Sequence, residues 1–202
     1  MVRADSNLLA DYLIQERRIA LDISWVVGFT LLTAVMAQIR FQFPYTTVPL
    51  TGQTFAVLLS GAVLGSRRGF ASQVLYVTAG ASGLPVFAGG AFSAAYLLGP
   101  TGGYLLSFPV AAYLIGWLVE RGASRHTWRL ALSLMLCDSI ILVSGAFWLH
   151  YLFNFSYRQA ALLGFYPFLI GDTLKIVLVG LTLPGILNRV KRIDPAESPN
   201  RT

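Results

Sequence analysis

The sequence predicts an all-α integral membrane protein with six transmembrane helices, and two observations support this fold class. Only 12% of the 202 residues are charged, whereas a typical soluble domain has about 25%. Hydrophobic residues make up 55% of the chain, and its mean hydropathy is +0.64. So few charged side chains cannot cover a water-facing surface. This excludes an ordinary soluble enzyme, a nucleic-acid-binding domain and a disordered chain.

Six apolar stretches can each form a membrane helix, because a crossing needs roughly 20 mostly apolar residues. They are residues 21–40, 52–66, 69–84, 102–119, 128–151 and 160–188. The second and third are short and rich in glycine, so we expect them to be tilted, kinked or incompletely spanning. Together the stretches predict a membrane domain at 21–190. It lies between an amphipathic surface segment at 1–20 and a tail at 191–202.

The basic residues predict the orientation of these helices. If the N-terminus is cytoplasmic, twelve of the 15 Lys and Arg residues fall in inner segments. The outer segments hold Arg40 and Arg158, and Lys175 lies within the last span. Because an excess of Lys and Arg marks cytoplasmic segments, we expect both termini, including the segment 1–20 and the tail 191–202, to be cytoplasmic.

The two outer connections are unusually apolar, and we name them the first lid (41–53) and the second lid (84–103). Neither contains a charged residue, and the second has five glycines and two prolines. Non-helical backbone at membrane depth is tolerated where it packs in protein or lines a cavity. The lids are therefore predicted to fold over a site on the outer face. The alternative is that they are short connectors with aromatic residues at the membrane interface.

Three ionisable residues lie inside predicted spans, where a charge costs about 2.5–3.5 kcal/mol on insertion scales. Asp172 and Lys175 stand three apart on one helix face, so they can neutralise one another. Together they place a hydrogen-bond acceptor and a hydrogen-bond donor beneath the lids. A few polar groups in an apolar pocket are typical of a small-molecule site. The alternative is a purely structural ion pair. Asp138 has no basic residue within four positions and is interpreted as structural, either protonated or bonded to Ser or Thr hydroxyls.

The sequence offers no convincing catalytic or metal-binding group of residues. His126 and His150 lie at opposite ends of one predicted helix, and the single cysteine, Cys137, excludes an internal disulfide and a thiolate cluster. Neither metal-ligand spacing nor a Walker-type phosphate loop is present. We expect no enzyme activity, cofactor, metal or nucleic-acid partner. If the chain drives transport, another subunit must supply the energy. An intramembrane enzyme using Asp138 or Asp172 as an acid–base group is the alternative from another class.

Small residues form one face of the first predicted span, at Thr30, Thr33, Ala34 and Ala37. Pairs of small residues four apart let membrane helices approach closely. This pattern predicts a contact with another subunit or, as the alternative, internal packing.

Four strings resemble the BioY family, the substrate-binding S component of biotin transporters of the energy-coupling-factor type. They are VPLTGQTFAVLLSGAVLGSRRG (48–69), GLPVFAGG (83–90), LLGPTGGYLLSF (97–108) and PFLIGDTLK (167–175). The most specific parts are GPTGG and the Asp-x-x-Lys of the last span. The family more often has a bulky apolar residue at the place of Gly52 and a proline at the place of Ser66.

The resemblance implies a six-helix bundle in a prokaryotic cell membrane that captures biotin at the outer face. It also implies partners: the lipid bilayer, a transmembrane coupling subunit that contacts the Thr30 face, and two ATPase subunits. A related S component for a different small vitamin is the alternative. The expected substrate-binding residues are Asp172, Lys175, Gln53, Phe87, Tyr96 and Tyr104. Lid aromatics such as Phe41, Phe43, Tyr45 and Phe92 are further candidates.

Overall fold

The computed structural model describes the backbone of residues 4–193 and the side chains of residues 19–183 apart from residue 170. The described part of the chain is mostly helical, at 79%. The α-helices are α1 (Ala4–Gln38), α2 (Gln53–Ala81), α3 (Ala94–Leu97), α4 (Gly102–Glu120), α5 (Thr127–Phe153), α6 (Tyr157–Gly164) and α7 (Tyr166–Ile193). The connections contain two 3₁₀ turns, Ala88–Gly90 and Ala123–Arg125, and two short antiparallel strands, β1 (Arg40–Phe41) and β2 (Leu50–Thr51).

Helix α1 continues without a break from the predicted surface segment into the first predicted span. The amphipathic face expected at 1–20 lies outside the described side chains, apart from Ile19 and Ala20. The expected tail at 191–202 is described only to Ile193.

Helix α2 reverses direction at Gly65, so its two halves, residues 53–64 and 66–81, pack against one another. Gly65 has φ +80° and ψ 178°, a conformation open to glycine because it has no Cβ. Gly61 and Gly69 then lie so close that a Cβ on Gly69 would approach the Cα of Gly61 to 2.7 Å. Tyr76, 23 residues after Gln53, accepts a hydrogen bond from it at 2.6 Å. A straight helix would separate these two residues by about 35 Å.

The reversal of α2 accounts for the second and third predicted spans. Its halves are only about 18 and 24 Å long at 1.5 Å per residue, consistent with the prediction that they are short. Four other helical stretches are long and apolar enough to cross a bilayer: Ile19–Gln38, Gly102–Glu120, Thr127–Phe153 and Tyr157–Leu183.

The last predicted span, 160–188, is wrong as a single helix, because Phe165 separates α6 from α7. Pro167 lacks the N–H that would donate to the carbonyl of Leu163 four residues earlier. That carbonyl instead accepts a hydrogen bond from the hydroxyl of Thr46 at 2.8 Å. The first lid is therefore attached to the end of α6 at the point where the helix breaks.

The buried core has two parts. One surrounds Tyr76, Tyr104 and Phe108 near the lids, and the other surrounds Ile115 and Leu134 farther along α4 and α5. The first part contains the candidate site.

Candidate functional site

A small cavity lies beneath the two lids and is enclosed by residues of α2, α4, α5 and α7. Its walls come from residues 48–54, 88–108 and 168–175, together with Leu142. Segments that are distant in sequence therefore meet at the end of the bundle where the lids were predicted to cover a site.

The predicted ion pair is present at this cavity. Lys175 Nζ lies 2.6 Å from Asp172 Oδ1, and their side chains are only 14% and 3% exposed. Thr54 completes a triangle, because its hydroxyl accepts from Lys175 at 2.9 Å and donates to Asp172 Oδ1 at 3.1 Å. The charges compensate one another, which lowers the cost of burying both.

Two polar atoms on the cavity walls have no hydrogen-bond partner among the described residues. They are Asp172 Oδ2 and Thr101 Oγ1, and both are buried. Buried polar groups nearly always have partners, so each exception needs an explanation. Here both atoms belong to the same cavity, which gives a ligand one carboxylate acceptor and one hydroxyl.

The amide of Gln53 links the first lid to the second. Gln53 Nε2 donates to Tyr76 OH at 2.6 Å, and Tyr76 OH donates to the carbonyl of Val86 at 3.0 Å. The hydroxyl of Thr51 donates to Gln53 Oε1 at 2.8 Å. Gln53 lies on the cavity wall, but its amide is already used to hold the lids together.

Of the expected aromatic residues, the structure brings Tyr96 and Tyr104 to the cavity wall. Phe87 is fully buried but does not line the cavity; its ring stacks on Tyr96 with centroids 5.2 Å apart. Tyr104 donates its hydroxyl hydrogen to the carbonyl of Gly164, and its ring lies 5.9 Å from that of Phe168.

The other lid aromatics do not line the cavity. Phe41 is 66% exposed, Tyr45 57% and Phe92 55%, and Phe43 stacks on Tyr45 at 5.4 Å. They do not line the cavity in this closed arrangement of the lids, and their contact with a ligand stays a prediction.

Both lids are folded and attached to helices, as predicted, and are not simple connectors. The side chain of Gln38 at the end of α1 donates to the carbonyl of Phe87 and accepts from the N–H of Gly90. The indole of Trp148 in α5 donates to the carbonyl of Gly99 at 2.9 Å. These contacts hold the second lid from two sides.

The cavity has a volume of about 40 Å³, whereas small-molecule pockets usually have about 300–1,000 Å³. Any ligand larger than a few atoms therefore requires the lids to move apart.

Sequence reasoning missed Thr54 and Thr101, and it also missed Phe108 and Phe168 on the cavity wall. Thr54 lies 118 residues from Asp172, so no local pattern connects the two. For Thr101, the only signal in the sequence was its position in GPTGG. This uncharged string belongs to the second lid, which was predicted to fold over the site.

The small-residue face of α1 packs inside the chain. Thr33 and Ala37 are fully buried, and the Thr30 hydroxyl donates to the carbonyl of Ser72 in α2 at 2.9 Å. Gln73 donates to the hydroxyl of Thr33 at 3.2 Å. Internal packing therefore describes Thr30, Thr33 and Ala37, whereas Ala34 is half-buried and packs against the core from its edge.

Asp138 is 4% exposed, and its Oδ1 accepts no hydrogen bond from a described residue. The hydroxyls of Ser133 and Ser139 donate to backbone carbonyls of α5 instead. Of the two alternatives for Asp138, bonding to Ser or Thr hydroxyls therefore finds no support at Oδ1. Among the residues with described side chains, no three His, Cys, Asp or Glu residues form a group that could hold a metal ion.

This architecture, with a polar cavity closed between apolar helices, is that of a multi-pass membrane protein. The model of the BioY family matches residues 9–192, so the chain belongs to this family. Its relatives are named transporters rather than enzymes, and a protein of this family is a multi-pass protein of the prokaryotic cell membrane.

Two similar proteins support this assignment, and a solved structure shares the fold. A probable biotin transporter BioY of Pyrococcus horikoshii is 40% identical over 77% of this chain and 90% of the relative. The biotin transporter BioY of Thermotoga maritima is 40% identical over 82% of this chain and 93% of the relative. A crystal structure of an S-component for biotin from an ECF-type ABC transporter has the same fold. Its TM-score is 0.78, with 22% identity over 84% of this chain and 92% of that one.

Proposed function

We propose that this chain is the substrate-binding S component of a biotin uptake transporter and that it binds biotin at the Asp172–Lys175 cavity. The observation that carries the proposal is the carboxylate of Asp172. One oxygen binds Lys175, and the other lies on the cavity wall without a partner among the described residues. The names of the relatives indicate the ligand.

Biotin can provide hydrogen-bond partners for the unpaired polar atoms of this cavity. Its ureido ring carries two N–H donors and one carbonyl acceptor, so an N–H donates to Asp172 Oδ2 while the carbonyl accepts from Lys175 or Thr101. Its bicycle and valeryl chain are apolar and pack against Tyr96, Tyr104 and neighbouring rings. The reversed placement, with the biotin carboxylate at Lys175, uses the same residues.

Binding requires the lids to open, because the cavity is too small for the vitamin. The contacts between the lids and the helices are neutral hydrogen bonds, each contributing about 0.5–1.5 kcal/mol net. A ligand that forms new contacts with Asp172 and Lys175 can offset the loss of several such bonds.

For the membrane topology, we propose six crossing segments: α1, the two halves of α2, α4, α5, and α6 together with α7. Both termini are then cytoplasmic, since twelve basic residues fall on that side and two on the other. In this orientation the lids and the cavity face the outside, where biotin is captured.

For transport, we propose that a transmembrane coupling subunit and two ATPase subunits form the energy-coupling module. The sequence has no Walker-type loop, so ATP hydrolysis must come from partner proteins. Because Thr30, Thr33 and Ala37 are buried, the proposed contact of α1 with the coupling subunit now depends on Ala34.

Titration calorimetry with the full-length purified protein tests the ligand. We expect one biotin per chain, with binding unaffected by excess thiamine or riboflavin. Tight binding of either of those vitamins without binding of biotin would favour the alternative, an S component for a different vitamin.

A further inference from the structure

The connection between α4 and α5 contains a second hollow, at the end of α4 opposite to Thr101. Its volume is about 270 Å³. It is lined by Leu118 and Arg121 from the end of α4, and by Trp128, Arg129 and Leu132 from the start of α5. None of these residues contributes to the cavity beneath the lids.

Two arginines, Arg121 and Arg129, line this hollow, and a third, Arg125, lies beside it at Gly122. The guanidinium of Arg121 lies 3.6 Å from the ring centroid of Trp117, and that of Arg129 lies 5.3 Å from the ring centroid of Trp128. The side chain of Arg125 folds back over Gly122, since a Cβ there would lie 3.2 Å from the Arg125 side chain.

The charge of these arginines is not compensated within the described part of the chain, where none of the three forms a salt bridge. The neighbouring acid, Glu120, accepts hydrogen bonds from the N–H and hydroxyl of Ser66 instead. All three arginines are exposed. The rim of the hollow therefore carries positive charge that no described acidic side chain neutralises.

Below this rim the hollow is apolar. Leu118 and Leu132 line it, and Leu132 is 56% exposed. Leu132 lies about 7.5 Å along the axis from the start of α5, at 1.5 Å per residue. Trp117 and Trp128 are 37% and 61% exposed, and exposed indoles at helix ends mark the interface between membrane and water.

We propose that this hollow binds an anionic phospholipid. The headgroup phosphate lies between Arg121 and Arg129, because the guanidinium fork matches phosphate oxygens. One acyl chain lies along Leu118 and Leu132, where a small water-soluble anion would leave the apolar surface unused. Basic pockets between membrane helices bind anionic headgroups for the same electrostatic reason.

Native mass spectrometry of the full-length protein, titrated with phosphatidylglycerol or phosphatidylcholine, tests the proposal. Wild type should bind the first lipid more tightly. Each arginine near a charged lipid surface contributes about 1 kcal/mol, or about fivefold in affinity. Arg121→Gln and Arg129→Gln should each weaken phosphatidylglycerol binding about fivefold and leave phosphatidylcholine binding unchanged.

Arg158→Gln is the matched control, because Arg158 is an exposed arginine in the first turn of α6, and its removal should leave the preference intact. Equal affinity of wild type for the two lipids would overturn the proposal, as would equal losses in all three variants. Displacement of the lipid by millimolar glycerol phosphate would also overturn it, since that outcome defines an anion site without an acyl chain. The comparison of the two lipids in wild type tests the proposal even if a variant fails to fold.

Discussion

Asp172 binds Lys175 through only one of its carboxylate oxygens. Lys175 Nζ lies 2.6 Å from Oδ1, whereas Oδ2 accepts no hydrogen bond from any described residue. A purely structural pair would gain by using both oxygens, because an unsatisfied buried acceptor costs about 1–3 kcal/mol. The geometry therefore favours a ligand-binding pair over a structural bridge.

Asp172→Asn and Lys175→Met should both bind biotin far more weakly in titration calorimetry. Loss of one partner from a buried charged hydrogen bond costs about 2–5 kcal/mol, or roughly 30-fold to several thousand-fold in affinity. Each substitution leaves the other charge of the pair uncompensated, which destabilises the folded state, so thermal denaturation of both variants checks that they are folded at the temperature of the titration.

Asp138→Asn is the control for these two variants, because Asp138 is buried but does not line the cavity. It should bind biotin nearly normally. Wild-type affinity in both Asp172→Asn and Lys175→Met would reduce the pair to a structural bridge.

Thr101→Val should weaken biotin binding roughly 2- to 10-fold without lowering the melting temperature, since its hydroxyl has no partner to lose in the free protein. Thr46→Val should lower the melting temperature without weakening biotin binding. The Thr46 hydroxyl donates to Leu163 and accepts from the N–H of Val48, so its removal leaves polar backbone unpaired. Calorimetry and thermal denaturation of both variants check this, and a lower melting temperature for Thr101→Val would contradict it.

Glu120→Ala should destabilise the protein by about 1.5–3 kcal/mol, the range for a hydrogen bond to a charged group. The carboxylate of Glu120 accepts from the N–H of Ser66 at 2.6 Å and from its hydroxyl at 3.0 Å, at the point where α2 reverses. Glu120→Gln retains one oxygen acceptor and should lose less. Thermal denaturation in detergent measures both, and equal stability of Glu120→Ala and wild type would show that the reversal needs no such contact.

Ala37→Trp should prevent folding or biotin binding, because Ala37 is fully buried and overpacking a core is destabilising. Ala34→Trp should leave biotin binding by the isolated subunit intact and reduce assembly with the coupling subunit. Pull-down of the complex and calorimetry separate these effects. If Ala34→Trp abolishes binding as well, the whole face serves internal packing.

Phe92→Cys should be labelled by an impermeant maleimide in intact cells, and Arg67→Cys only after lysis, both in a Cys137→Ser background. Both side chains are exposed, so accessibility depends on the side of the membrane. Labelling of position 67 with position 92 silent would reverse the proposed orientation.

The sequence alone determined the class of protein and the ion pair. Membrane location follows from composition and long apolar runs, and contact between Asp172 and Lys175 follows from helical periodicity, so both depend on residues close in the chain. The same is true of the short, kinked helices around Gly65. Local patterns contain this information because they control hydropathy and backbone conformation directly.

Only the tertiary structure decided which other residues reach the site. Thr54 meets Asp172 from 118 residues away, and Phe87 lies behind Tyr96 although both were expected to line the cavity. The small residues Thr33 and Ala37 could pack equally well against a helix of this chain or a helix of another subunit. In the structure α2 packs against this face of α1, so both residues are buried within the chain. Such contacts depend on the rotation and spacing of packed helices, which result from all the side chains at an interface together.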